Sequence, residues 1–224
     1  MPQPVSSPPH RPTAPRHAAA PTLVRVAFQG ELGAFGDAAI RLRWGAEARP
    51  VPARTFDDVV ALVAAGAVDS AVLPVWNSTI GPIAPALAAL EHAAPPLTIV
   101  GEIDLPVRHA LLALPGATLD GLRAVGSHPA ALGQCARWLA TRPRIVAQAA
   151  YDTAGAAREL SRLTAGTPDE PRTIPWYAGL TGVAPCQLAA IASAAAAQTY
   201  GLLVLADAVQ DDPTNLTRFR VVER

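Results

Sequence analysis

The chain has 224 residues, half of them hydrophobic and 16% charged, a globular composition long enough to bury a substantial core. Its 18 basic and 18 acidic residues cancel, which excludes the electrostatic footprint of a nucleic-acid or anionic-membrane binder and leaves a small molecule as the default partner. Every basic residue is arginine, so Schiff-base chemistry and a lysine-type phosphate loop are excluded too.

Residues 1–21 hold seven prolines with Arg11, Arg16 and two histidines, a composition that predicts a disordered tail. The tail has no apolar core that could serve as a signal peptide, and no apolar run in the chain reaches the length of a membrane span. From residue 23 onward, β-rich runs at 23–28, 70–75, 109–114, 123–127, 144–149, 189–193, 202–207 and 218–222 alternate with helical segments. The helices fall at 36–44, 56–65, 82–92, 129–140 and 154–163. This alternation predicts an α/β protein with mainly parallel sheets and flanking helices. Around TIVGEIDLPVRHALLAL two apolar runs follow one another with no helix between them, which reads as a crossover between two lobes. Lobe 1 would take about 22–102 plus a C-terminal segment, and lobe 2 about 103–200. The segment 164–187 lacks a period and reads as a long loop of the kind used for lids or disordered insertions. Cys135 and Cys186 are too few for a disulfide framework and lack zinc spacing, so they read as reduced thiols of a cytoplasmic protein.

Four of the strands end in polar, Gly- or Pro-punctuated turns that open helices: Gln29 to Gly36, Trp76 to Gly81, Ser127-His128-Pro129, and Asp152-Thr153-Ala154-Gly155. In doubly wound sheets ligands bind outside the carboxyl ends of strands, where helix N-termini offer free N–H groups to anions. Any one of these turns is explained by ordinary helix capping. All four together point to a small molecule carrying one or more carboxylates. The glycine turn at 30–36 lacks the start and the acidic partner of a dinucleotide fingerprint, so it does not read as an NAD site. Near the C-terminus, NLTRF places Thr217 and Arg218 at the mouth of a last strand, where a hydroxyl and a bidentate guanidinium could meet such a ligand. A surface ion pair is the competing explanation for the arginine.

Taken in order, VAFQGELGAFGDAA, VLPVWNSTIG, IVGEIDLPVRHALLALPG, VGSHPAALGQC, DTAGAA, AAIASAAAAQTYGLLVLADAVQD and NLTRF resemble the prephenate dehydratases, which convert prephenate to phenylpyruvate. The resemblance implies two α/β lobes like those of type II periplasmic binding proteins, with prephenate in the cleft between them. It implies no metal and no organic cofactor, a homo-oligomer (dimer or tetramer), and a place in phenylalanine biosynthesis. It assigns Thr217 to the leaving hydroxyl, Arg218 to a carboxylate and Phe219 to the ring pocket. Asn77, Ser78, Thr79, Ser127, His128, Gln134, Asp152 and Thr153 would bind substrate. His109 reads as structural, and His128 as either structural or catalytic. Family members carry glutamate where this chain has Trp76, and often serine or threonine at Gly36. Many continue into a regulatory domain of the ACT type, which this chain is expected to lack. Arogenate as substrate, or a non-catalytic role binding a carboxylated ring, are the alternatives.

Overall fold

A computed structural model describes residues 23–163 and 174–224, so the expected tail at 1–21 and the first ten residues of the 164–187 loop lie outside the described residues. In chain order the elements are β1 (Val24–Gln29), α1 (Phe35–Trp44), β2 (Ala48–Ala53), α2 (Phe56–Ala64), β3 (Ser70–Asn77), β4 (Gly81–Pro82), α3 (Ala84–Glu91) and β5 (Thr98–Pro106). The second half adds β6 (Ala110–Ala113), β7 (Ala124–Ser127), α4 (Pro129–Gln134), α5 (Ala136–Ala140), β8 (Val146–Ala149), α6 (Thr153–Ser161), β9 (Leu188–Ala192), α7 (Ala194–Tyr200), β10 (Leu203–Ala206) and β11 (Leu216–Glu223).

Local signals account for the helices. At α2 the Thr55 hydroxyl accepts from the Asp58 N–H at 3.0 Å while the Asp58 carboxylate accepts from the Thr55 N–H at 3.1 Å, a reciprocal cap. Val59, Val60 and Val63 then supply the face that packs on the sheet. Asp152 caps α6 through Gly155, and Ser193 caps α7, which ends at Gly201 in the left-handed region. Two elements escape the sequence pattern. β2 carries Pro50 and Pro52, residues that argue against a strand, yet it is tolerated because it forms the edge of its sheet. α7 opens on four consecutive alanines and shows no clear amphipathic period.

The strands form two sheets, ordered β2-β1-β3-β11-β5, with β4 on the edge of β3, and β10-β6-β9-β7-β8. The chain crosses from the first lobe to the second through Val107–His109 and returns between β10 and β11. The sheets are mixed rather than mainly parallel. β1 pairs in parallel with β2 and β3, and β7 with β8 and β9, while β11 runs against both its neighbours and β6 against β9 and β10. The strands that enter each lobe from the other are the ones that run in opposition, because each comes back across the crossover instead of winding on through a helix.

Pairing of β3 with β11 contains a bulge: Thr217 faces Asn77 and Arg218 faces Trp76, but Phe219 faces Pro74, leaving Val75 over. A bulge resets the alternation of faces. Val72, Pro74 and Asn77 therefore share one face with Thr217 and Phe219, whereas Trp76 shares the other with Arg218.

One apolar cluster runs through both lobes, joining Phe28, Ile40, Val72 and Phe219 of the first to Leu112, Leu160 and Leu188 of the second. The loop after β1 fastens the lobes together. The Ser193 hydroxyl donates to the Gly33 carbonyl at 2.5 Å, Tyr200 donates to the Leu32 carbonyl at 2.8 Å, and Arg158 pairs with Glu31 at 2.9 Å. Gly33 has φ +82°, and a Cβ there would stand 2.8 Å from the Ala196 Cα, so only glycine fits. The described half of the long loop is neither a lid nor disordered. Ile174, Trp176 and Tyr177 are buried in the second lobe, with the Trp176 indole over Gly126, and none of 174–187 lines the cleft.

Candidate active site

Between the lobes lies a cleft of about 720 Å³. It sits at the carboxyl ends of β1, β2 and β3 and takes in the first residues of α1, α2, α3, α4 and α6. All four polar turns singled out in the sequence contribute to its wall, through Gln29, Asn77, His128 and Asp152 among others.

At its centre is a hydrogen-bonded chain of four side chains. Asn77 is 3% exposed, and its amide oxygen accepts the backbone N–H groups of Thr79 at 2.9 Å and Ile80 at 3.2 Å, which fixes the orientation of the amide. Its nitrogen therefore faces the Thr217 hydroxyl at 2.9 Å, the Leu216 carbonyl at 3.0 Å and the Asn215 side-chain oxygen at 2.8 Å. Gln134 donates to the Asn77 oxygen at 3.3 Å, so its own oxygen is the atom that meets His109 Nε2 at 2.8 Å. That assigns the proton to His109 Nε2 and leaves Nδ1 bare and buried, without a partner among the described residues. Burial holds the His109 pKa below its ordinary value of 6.5, against the opposing Gln134 hydrogen bond, so the ring is neutral. The Phe35 ring meets it edge-on at 5.3 Å. Because Thr217 Oγ1 accepts from Asn77, its own proton is free to donate into the cleft.

The remaining predicted residues divide. His128 lines the cleft and caps its own helix, its Nδ1 accepting from Ala130. Asp152 and Thr153 also line it. The Asp152 carboxyl is pushed up by burial, partly offset by the N–H groups of Gly155, Glu31 and Thr153 that it accepts. Phe219 contributes to the apolar wall with Val72 and Pro74.

Four others lie outside the wall. Ser127 is fully buried and donates to the Ile191 carbonyl at 2.6 Å. Ser78 holds the start of β11, accepting from the Leu216 N–H at 2.9 Å, and the exposed Thr79 contributes only its backbone to the Asn77 turn. Arg218, expected at a carboxylate, faces away. Strand alternation puts it opposite Thr217's side, where Asp104 grips it bidentately at 2.7 and 2.8 Å and raises its pKa. Trp76 is its cross-strand neighbour, 39% exposed and absent from the cleft wall. A glutamate at this position would meet Arg218, not a ligand in this cleft.

Sequence reasoning missed Arg54 and Asp57. They follow β2, the proline-bearing strand, and without that strand nothing marked Arg54 as a strand-end residue. Arg54 is the one arginine in the cleft wall among the described residues.

Residues 26–224 match the family model for prephenate dehydratase. The chain belongs to the prephenate dehydratase family. It is 39% identical over 202 residues to arogenate dehydratase/prephenate dehydratase 2 of Arabidopsis thaliana, a chloroplastic protein, a match covering 90% of this chain and 46% of the relative. The chain thus spans about half the length of the curated relatives it matches. Among solved structures, the prephenate dehydratase of Arthrobacter aurescens in complex with L-Phe superposes with a TM-score of 0.73 at 28% identity, covering 90% of this chain and 60% of that one. A structure described as a novel type of quorum-quenching acylase gives 0.71 at 32% identity, covering 89% and 64%. This family membership agrees with the motifs that run from VAFQG to NLTRF. Among the described residues no helix is long and apolar enough to cross a membrane.

Proposed function

We propose that the chain catalyses the decarboxylating loss of water from prephenate to give phenylpyruvate. The observation that carries this reading is the Thr217–Asn77–Gln134–His109 chain on the wall of the cleft. As the carbon–carbon bond to the ring carboxylate breaks, its electron pair enters the ring and the carbon–oxygen bond at the opposite ring carbon releases the hydroxyl. Carbon dioxide leaves, the departing hydroxide takes a proton from solvent to become water, and the ring becomes aromatic. Charge develops on the departing oxygen, and a donor aimed at it lowers the barrier. Thr217 supplies that donor: Asn77 occupies one lone pair and turns the O–H outward, while Gln134 and His109 hold Asn77. Threonine does not ionise at neutral pH, so its role is an oriented hydrogen bond. The apolar wall formed by Phe219, Val72, Pro74 and Ile83 suits the ring and keeps water from the departing carboxylate.

Arogenate is the second reading, favoured by the plant relatives, which are named arogenate dehydratases. An acylase activity like that named for one structural neighbour, if it ran through a nucleophilic side chain, would need a base hydrogen-bonded to it. Here His109 is committed to Gln134 and the partner of Thr217 is an amide. We extend the proposal to a homo-oligomer in the cytoplasm, a setting in keeping with the two unpaired cysteines, to be checked by light scattering and cell fractionation.

The test is phenylpyruvate formation from purified prephenate, read by its absorbance in alkali. Wild-type turnover that falls about a hundredfold or more in Thr217→Ala supports the reading. A folded wild-type protein that gains thermal stability from prephenate but yields no product would make it a binding protein.

A further inference from the structure

The dehydratase reading leaves two charged residues of the cleft wall unused. Arg54 lines the cleft and is exposed, and among the described residues its one hydrogen bond is accepted by its backbone carbonyl, from Gln29 at 3.4 Å. Asp57, three residues on, lines the same cleft and likewise has no ion-pair or hydrogen-bond partner among the described residues. Its neighbour Asp58 is consumed by the cap of α2, so Asp57 is not needed there. The two opposite charges are also not paired with each other. A cation and an anion three residues apart on a cleft wall, neither paired among the described residues, match a ligand end that carries both signs.

Their position fits the far end of the substrate. β2, β1, β3 and β11 are consecutive strands, so Arg54 and Thr217 stand three strand spacings, about 15 Å, apart across the strands, with a further offset of about 8 Å along them. In prephenate and arogenate the leaving hydroxyl lies across the ring from the carbon that bears the three-carbon side chain. From that hydroxyl to the side-chain carboxylate is about 8 Å by ordinary bond lengths. With a hydrogen bond of about 2.8 Å at each end and the long arginine stem, a molecule anchored at Thr217 reaches Arg54. Pairing the arginine with the side-chain carboxylate is also the productive choice, because an ion pair to the ring carboxylate would stabilise the very group that must depart. The two substrates differ only at this end, where prephenate has a keto group and arogenate an ammonium.

Building on the dehydratase reading, we propose that Arg54 and Asp57 are the specificity-determining pair. Arg54 holds the side-chain carboxylate common to both substrates, and Asp57 holds the ammonium that arogenate alone carries.

The experiment compares kcat and KM for prephenate and for L-arogenate in the wild type, Arg54→Gln, Asp57→Asn, and Arg49→Gln as a control on β2 outside the cleft. One charge-assisted hydrogen bond at a solvent-accessible site is worth about tenfold. Arg54→Gln raises KM about tenfold for both substrates. Asp57→Asn lowers kcat/KM for arogenate about tenfold and leaves that for prephenate unchanged or higher. Ligand-induced shifts in melting temperature, measured with both compounds in the Thr217→Ala background, read the same preferences without turnover. A wild type that turns over neither substrate while these shifts follow the predicted pattern would remove the dehydratase reading and keep the pair. Variants that match Arg49→Gln in both kinetics and thermal shifts would overturn the assignment of the pair, even in an active enzyme.

Discussion

Replacing Asn77 by aspartate puts the proposed role of Thr217 under direct test, because the change is isosteric and alters only which atoms donate. The amide nitrogen faces Thr217 Oγ1, the Leu216 carbonyl and Asn215 Oδ1 at 2.8 to 3.0 Å. A carboxylate oxygen in its place cannot donate to any of them. Asn215 can answer by turning its amide, since its own nitrogen is buried and has no partner among the described residues. Thr217 can answer by rotating its O–H onto the new acceptor. The Leu216 carbonyl cannot turn away, but it keeps the Ser78 N–H at 2.9 Å, so the apposed part-buried acceptor costs about 1 kcal/mol, the low end of the usual range. Melting temperature should therefore fall by about 2–4 °C for a chain of this size. Catalysis suffers more, because the rotated hydroxyl no longer points into the cleft: kcat for phenylpyruvate formation should drop about a hundredfold. KM should change less than about threefold, since the donor acts on charge that appears only in the transition state. Steady-state kinetics with a thermal scan on the same preparations make the measurement. A Tm loss of the expected size with kcat intact would refute the orientation of Thr217 by Asn77.

Trp76→Glu should leave kcat/KM within about twofold, as for an ordinary surface change, because this position faces Arg218; a gain of tenfold or more would place it in the chemistry. Gly33→Ala should cost more than about 2 kcal/mol in denaturant unfolding, since it combines a positive φ with a Cβ 2.8 Å from the Ala196 Cα, and a Tm within a degree of wild type would contradict the close approach. Burial depresses the His109 pKa below 6.5, so the unfolded chain binds the proton more readily. The stability contributed by neutral His109 is complete above about pH 6.5 and is lost as pH falls toward the folded value. Asp152, whose pKa is raised above 3.8, acts in the opposite sense: its contribution is present below 3.8 and lost as pH rises through its folded value. Unfolding free energy measured from pH 7 to 5 should therefore slope less steeply in His109→Gln than in wild type, and an unchanged slope would count against a neutral buried ring.

Much of the site could be read from the sequence because its parts are local. Turns such as Asn77-Ser78-Thr79 and Asp152-Thr153 announce themselves by residue type, and they reach the cleft because strand ends and helix starts meet there. What could not be read depended on pairing. The face of Arg218 follows from alternation along β11 once Thr217 is fixed, but the face of Trp76 follows from the bulge at Val75, and a bulge belongs to two strands at once. Ser127 looked like a ligand group because a hydroxyl at a strand end resembles one, and only the Ile191 carbonyl 2.6 Å away shows where it is spent. Arg54 was hidden by Pro50 and Pro52, whose cost in a strand vanishes at a sheet edge.

The place of β11 has a consequence for biosynthesis. This strand lies between β3 and β5, both of which leave the ribosome more than a hundred residues earlier. Until β11 emerges, the first lobe holds two unsatisfied strand edges and an open seam, a surface prone to pairing with other chains. The second lobe waits in the same way for β9, which enters between β6 and β7, but over a shorter stretch of chain. Thr217 arrives with the strand that closes the seam. A nascent chain therefore acquires its proposed catalytic hydroxyl and its last stretch of sheet in one event, and a ribosome that stalls before Leu216 releases a product both inert and sticky.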